Sequence, residues 1–232
     1  MTSLADLRAE LALATRLCAF EGMLDHSGHI SARLPGQDAI LIQSGKSPRA
    51  SLSPADIIIV DMDGRVRAGT GKPPLETALH LTIMRARPDI QAVLHSHWLD
   101  AVSCTLMHNT PLQILRPGAA RWRGGIPVHP FAGSISSTHR GDALAATLGD
   151  RHAALLRAHG MVLGAESIRA LVHDAVYFAD NVEANLLVLH AGRERVPLTE
   201  AELELMETPR EFNIEKLWAY CEQRARAAGA LD

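Results

Sequence analysis

The chain has 232 residues, 47% of them hydrophobic and 21% charged, with a formal net charge of −3; this is an ordinary globular composition, and a single domain over residues 1–232 is expected. Aromatic residues, at 4%, are too sparse for a base-stacking surface, which argues against a nucleic-acid partner, and no run is long and apolar enough to cross a bilayer. The three cysteines, Cys18, Cys104 and Cys221, form no CxxC pair and leave an odd one over, which fits reduced thiols in the cytoplasm.

In chain order, Leu4, Leu7 and Leu11 repeat at helical spacing with acids between them, so the N-terminus reads as an amphipathic helix ending at Gly22, not as a leader. Two short strands, "SGHISARLPG" and "AILIQSG", follow around a Pro-Gly turn. Ser53 caps a helical turn that Pro54 begins, ahead of the strand "IIIVDMDG" and a turn at Asp63-Gly64. In "GKPPLETALHLTIMRARPD", Leu75, Leu79, Ile83 and Ala86 share one helical stripe that Pro88 stops. Glu76 then falls in the first helical turn, where the dipole favours its charged form. The next strand, in "QAVLHSHWLD", carries His95 and His97 at i and i+2, on one face, with Ser96 and Trp98 turned away.

A short helix is expected near 99–107, then a Pro/Gly-rich stretch with strand-like "IPVHPF", then a helix from Thr138 to Leu148. "AALLRAHGMVLG" reads as two strands meeting at a bend at His159-Gly160. Leu171, Ala175, Phe178, Val182, Leu186 and Leu189 form the apolar stripe of a long helix from Ser167 to about His190, closed by Gly192. Thr199 and Glu202 make a capping box, Pro209 interrupts, and "FNIEKLWAYCEQRARAAG" ends the chain as a helix. Together these elements predict an α/β fold: three layers, α/β/α, around a mixed and mainly antiparallel sheet. Neither GxGxxG nor GxxxxGK[ST] occurs, so the usual nucleotide-binding loops are missing.

Two features carry chemistry. From Ala101 to Gly141 there is no acid, and the arginines at 116, 121, 123 and 140 make this span locally cationic, suited to a small anion, although any one of them also has the option of pairing with an acid elsewhere. Two imidazoles on one strand face invite a metal, and His159 and Glu76 complete a set in which three neutral imidazoles leave a position open for substrate. Glu76 serves there either as a ligand or as a proton carrier. His80, one turn after Glu76, either faces the same cavity or, on the plainer reading, belongs to a polar helix face. Trp122, between two arginines, is either a pocket wall or core.

The segments "GHIS" (28–31), "QSG" (43–45), "GKPPLE" (71–76), "HSH" (95–97) and "AHG" (158–160), in this order, resemble the class II aldolase/adducin family. That resemblance implies the α/β/α fold, Glu76 as acid/base, and His95, His97 and His159 as ligands of a divalent metal (zinc, manganese, iron or cobalt). It also implies a cyclic homotetramer with sites at subunit interfaces. Where the sugar-phosphate aldolases of the family have "GN-S" this chain has Gly28-His29-Ile30-Ser31, and where they have a serine pair before the glutamate it has Pro74-Leu75. The phosphate donors are missing, so a small carboxylate is the expected ligand, with His29, Ser31, Arg33, Ser44, Gly45, Lys72 and Arg123 as its contacts, His29 being equally open to a plain structural hydrogen-bonding role. The "GH-S" variant and the tail "KLWAY" are similar to a branch that decarboxylates hydroxylated aromatic or heteroaromatic acids. A decarboxylase is therefore expected; the alternatives are a retro-aldolase or dehydratase acting on a small hydroxy-oxo compound and, third, a non-catalytic adducin-like module.

Overall fold

The structure, a computed structural model, describes residues 3–205 and 210–231. Eight strands form one sheet: β1 (His29–Arg33), β2 (Ala39–Gln43), β3 (Ile57–Asp61), β4 (Val66–Ala68), β5 (Ala92–Ser96), β6 (Val128–His129), β7 (Ala153–Leu156) and β8 (Gly160–Ala165), in the order β4-β3-β2-β1-β5-β8-β7-β6. Every neighbouring pair is antiparallel except β6 with β7 at the edge, so the sheet is mixed and mainly antiparallel as expected.

Strand alternation divides the apolar side chains between two cores. Ile30, Leu41, Leu94, Leu155 and Leu163 face one side, where α1 (Leu4–Phe20), α3 (Leu99–Cys104), α5 (Ile168–His190) and α7 (Arg210–Ala227) cover them. Ile42, Ile58, Val93, Leu156 and Val162 face the other, beneath α2 (Thr77–Ala86) and α4 (Thr138–Leu148). Two helical layers therefore sandwich the sheet, and α6 (Glu200–Glu204) adds a short turn of helix started by the Thr199 capping box. No helix among the described residues is long and apolar enough to cross a membrane.

Several expectations shift at element ends. Leu75 is not part of the α2 stripe; it precedes the helix and is 77% exposed, because Pro73 and Pro74 hold the chain extended up to it. Glu76 is the N-cap residue of α2 and not a member of its first turn. The strand that carries His95 ends at Ser96, leaving His97 just beyond it. In the first helix the core-facing positions are Leu11, Ala14, Leu17 and Cys18, while Leu4 is exposed. Trp122 is core: it is 2% exposed and packs edge-to-face on Phe178, with ring centroids 5.3 Å apart. The expected break at Pro209 lies outside the described residues.

The hairpin of β7 and β8 shows why glycine follows His159. At Gly160, β8 passes so close to the end of β5 that a Cβ would collide with the Ser96 carbonyl oxygen. The preceding Ala158 takes the left-handed conformation (φ 53°), its N–H donated to Thr105 Oγ1 at 2.8 Å. The turn is thereby fixed, and with it the direction of His159.

Candidate metal centre and active site

The site sits at one end of the central strands β1, β5 and β8. Residues His29 and His95 are direct partners across the β1–β5 pair, and Ser96 pairs with Met161 of β8. On the far face of β5, the Ser96 hydroxyl donates to the Met23 carbonyl and accepts from the Trp98 N–H at 3.0 Å, which turns the chain sharply after the strand. His97 consequently comes back beside His95.

Four side chains converge: ligand atoms of Glu76, His95, His97 and His159 all lie within 4.8 Å of one another. Nε2 of His95 is 3.2 Å from Nε2 of His97, which is 3.1 Å from Nε2 of His159. The Glu76 carboxylate closes the ring, with Oε2 3.2 Å from His95 Nε2 and 3.5 Å from His97 Nε2, and Oε1 3.4 Å from His159 Nε2. Oε1 also accepts the Ile135 N–H at 2.7 Å, so Glu76 is held by a loop across the cavity and makes no side-chain cap on α2.

The donor set fits a divalent metal ion. His95 Nδ1–H donates to the Met161 carbonyl at 2.9 Å, which fixes the tautomer and leaves the Nε2 lone pair pointing into the cluster. Three inward nitrogens at these separations cannot all satisfy one another with protons, whereas a cation among them satisfies all three and the carboxylate together. Burial alone pushes the Glu76 carboxyl up, but hydrogen bonds from His159, His95 and His97 outweigh it and hold the group well below the usual carboxylate range. Its bond to Glu76 raises His97 above its ordinary value against the effect of burial, while burial lowers the fully enclosed His95.

Beside the cluster opens a cavity of about 620 Å³, lined among others by His29, Gly45, Lys72, Pro74 and Ser134. His29, Gly45 and Lys72 thus stand where a ligand would touch them. Ser31 does not: it is fully buried, its Oγ 2.6 Å from His80 Nδ1. Ser44 likewise stays off the cavity wall and bonds the Lys72 carbonyl at 3.5 Å. Arg33 shares a sheet face with His29 but lies a whole strand away, donating to the Met84 carbonyl at the end of α2 at 2.7 Å. Arg123 is exposed and outside the cavity. Of the other arginines in the acid-free span, Arg121 pairs with Asp174 and Glu166.

Two further residues belong to the site: His80, for which a polar helix face is the plainer reading, and Arg49, which is not expected there. His80 is not on a polar helix face; it is fully buried, and its Nε2 lies 2.7 Å from His29 Nδ1. Ser31, His80 and His29 therefore form a hydrogen-bonded chain that fixes the orientation of the imidazole reaching the cavity and couples its tautomer to that of His80. Arg49, 7% exposed, also lines the cavity.

Burial pushes His80 down to about 3 and lowers His29 well below its ordinary value, so both are neutral in the folded protein near neutral pH. Below about pH 6.5 the unfolded chain takes up protons that these two rings refuse, and stability falls with decreasing pH by about 1.4 kcal/mol per unit for each. Urea unfolding between pH 6.5 and 4.5 is expected to show this loss, with a shallower slope in His80→Asn; parallel curves for the two proteins would contradict it.

Comparison with known proteins places this geometry in context. A sequence model of the class II aldolase and adducin N-terminal domain matches residues 9–186. The chain is 32% identical over 238 residues to a 3,4-dihydroxyphthalate decarboxylase of Arthrobacter keyseri, covering 97% of this chain and 96% of the relative. It is also 32% identical to the Rhodococcus jostii (strain RHA1) protein of the same name, covering 98% of each. Among solved structures, an aldolase II superfamily protein from Pseudomonas syringae superposes with a TM-score of 0.84 at 24% identity, over 97% of this chain and 94% of that one.

Proposed function

Because the chain belongs to the class II aldolase and adducin family, we propose that it is a divalent-metal-dependent lyase that removes carbon dioxide from a hydroxylated aromatic dicarboxylate of the 3,4-dihydroxyphthalate type. The observation that carries this reading is the convergence of three imidazole nitrogens and one carboxylate, with His97, His159 and Glu76 on the wall of a cavity large enough for a single aromatic ring. Near full-length similarity to two decarboxylases of that name supports the choice of substrate class.

In this reading His95, His97 and His159 would hold the ion, zinc, manganese, iron or cobalt, with Glu76 completing the set before substrate binds and released to move a proton once substrate enters. When bound, the metal supplies positive charge beside the vicinal oxygens of the substrate and stabilises the electron-rich ring as carbon dioxide leaves. Glu76, ionised at rest, takes the proton of a substrate hydroxyl. The bond from ring carbon to carboxylate breaks, its electron pair stays on the ring, and Glu76 returns the proton to that carbon. The phenolate left behind regains a proton from solvent on release. His29, its ring fixed by His80, bonds the substrate within the cavity. The protein acts in the cytoplasm as a homo-oligomer, a tetramer by resemblance to its family.

The test is metal analysis beside a carbon dioxide assay over ortho-hydroxylated aromatic dicarboxylates. About one metal ion per chain together with release from 3,4-dihydroxyphthalate is the expected result. Bound metal with no release, and aldehyde formed from sugar phosphates, would replace this reading with retro-aldol cleavage.

A further inference from the structure

Arg49 has no sequence motif around it, and its surroundings are unusual for a buried guanidinium. Nε donates to the Gly28 carbonyl at 2.8 Å, one terminal nitrogen to the carbonyls of Ser47 and Gly45 at 2.5 and 3.4 Å, and the other to Ser27 at 3.5 Å. Four of its five N–H groups are thus committed to backbone oxygens of the two loops that flank the cavity, and one remains. No carboxylate forms an ion pair with it among the described residues. The Asp25 carboxylate acts on Arg49 only from longer range. Its oxygens accept from the N–H groups of Ser27 and Gly28 at 3.0 and 2.6 Å and face His97 Nδ1 at 3.4 Å.

The same cavity is lined by Lys46 and Lys72, both exposed at its mouth and neither in an ion pair among the described residues. The one carboxylate lining it, Glu76, is taken up by the histidine cluster. One buried and two exposed cations therefore face a cavity in which no carboxylate forms an ion pair with them among the described residues, Asp25 acting on Arg49 only from longer range. A buried charge is costly unless paired, and the missing partner is an anion that enters with the ligand.

We infer that Arg49, together with Lys72 and Lys46, forms a carboxylate pocket separate from the metal ligands, and that this pocket makes the site selective for dianionic aromatic dicarboxylates over monocarboxylates. The inference rests on the substrate class proposed above and adds to it the residues that recognise the second carboxylate. A guanidinium with its fork already fixed by backbone carbonyls loses little side-chain freedom on meeting an anion, which favours discrimination by charge and position. Lysines at the mouth attract the dianion and complete the pocket once it is seated.

The experiment uses phthalate and benzoate, neither of which carries the hydroxyls that the reaction needs, titrated calorimetrically into the metal-loaded protein. Phthalate is expected to bind about 10- to 100-fold more tightly than benzoate, and Arg49→Gln to remove most of that preference while leaving benzoate unchanged. Arg49 also pins two loops, so circular dichroism checks that the variant folds; if it does not, Lys46→Gln/Lys72→Gln decides, with a selective loss of phthalate affinity of several-fold expected. Equal affinities in the unmodified protein, or an equal loss for both ligands in every folded variant, would overturn the inference and leave Arg49 as a loop clamp only. Because binding is read without turnover, the two proposals fail separately. Phthalate preference without carbon dioxide release would sink the decarboxylase and keep the pocket, and release without phthalate preference would do the reverse.

Discussion

Replacing Glu76 by glutamine is expected to lower the rate of carbon dioxide release by about 10²- to 10⁴-fold, the range associated with losing a positioned acid–base group, while the fold and the bound metal persist. The substitution keeps the side-chain shape in a site where Glu76 is only 6% exposed, and the amide oxygen still accepts the Ile135 N–H now found at 2.7 Å from Oε1. His95, His97 and His159 remain to hold the ion. What disappears is a carboxylate held ionised by three imidazoles, and with it the capacity to collect a hydroxyl proton and return it to carbon. Steady-state kinetics beside metal analysis check this. An unchanged rate with metal still bound would move the proton-transfer role to His29, another imidazole that lines the cavity.

His159→Ala is expected to weaken metal binding by more than about 100-fold, beyond the 10- to 100-fold range typical of removing a group that merely supports a ligand, and to abolish turnover at ordinary metal concentrations. His159 is a cleaner choice than His95. The His95 ring is fully buried between strands, with Nδ1 bonded to the Met161 carbonyl, so its removal leaves a hole and an unpaired carbonyl as well as a missing ligand. His159 lies on the β7–β8 turn and its Nδ1 has no hydrogen-bond partner, so truncation removes the ligand and little else. After dialysis against metal-free buffer the variant should carry almost no metal. Its melting temperature should match that of wild-type protein stripped by a chelator. Retention of stoichiometric metal would show that Glu76, His95 and His97 suffice.

Much of this was legible in the sequence because it follows from short periodicities. The helix Thr138–Leu148 and the long helix ending at His190 lie at the expected bounds, and the i, i+2 spacing of His95 and His97 identified the pair that meets at 3.2 Å. What periodicity cannot report is where an element stops in space. Arg33 has the right strand parity to accompany His29, yet parity says nothing of distance along the strand, and it ends beside the last carbonyls of α2. Leu75 continues the α2 stripe arithmetically, but two prolines before it delay the helix. His80 looked like surface because histidine on a helix usually is; its burial depends on His29 coming from a strand 51 positions away. Arg49 carried no signal at all, since its partners are backbone carbonyls, which any sequence supplies.

The cluster is also an assembly problem in time. Its donors come from remote stretches of chain, with Glu76 and His95 19 positions apart and His97 and His159 62 apart. The β5–β8 pairing that brings the last two together, marked by the bond from His95 to Met161, spans 66 positions. Closing such loops costs entropy before any contact repays it, so pairings of this separation form late, after local helices and hairpins. A metal ion held by these four residues would therefore be taken up only once the central sheet is complete, locking a finished scaffold rather than nucleating it.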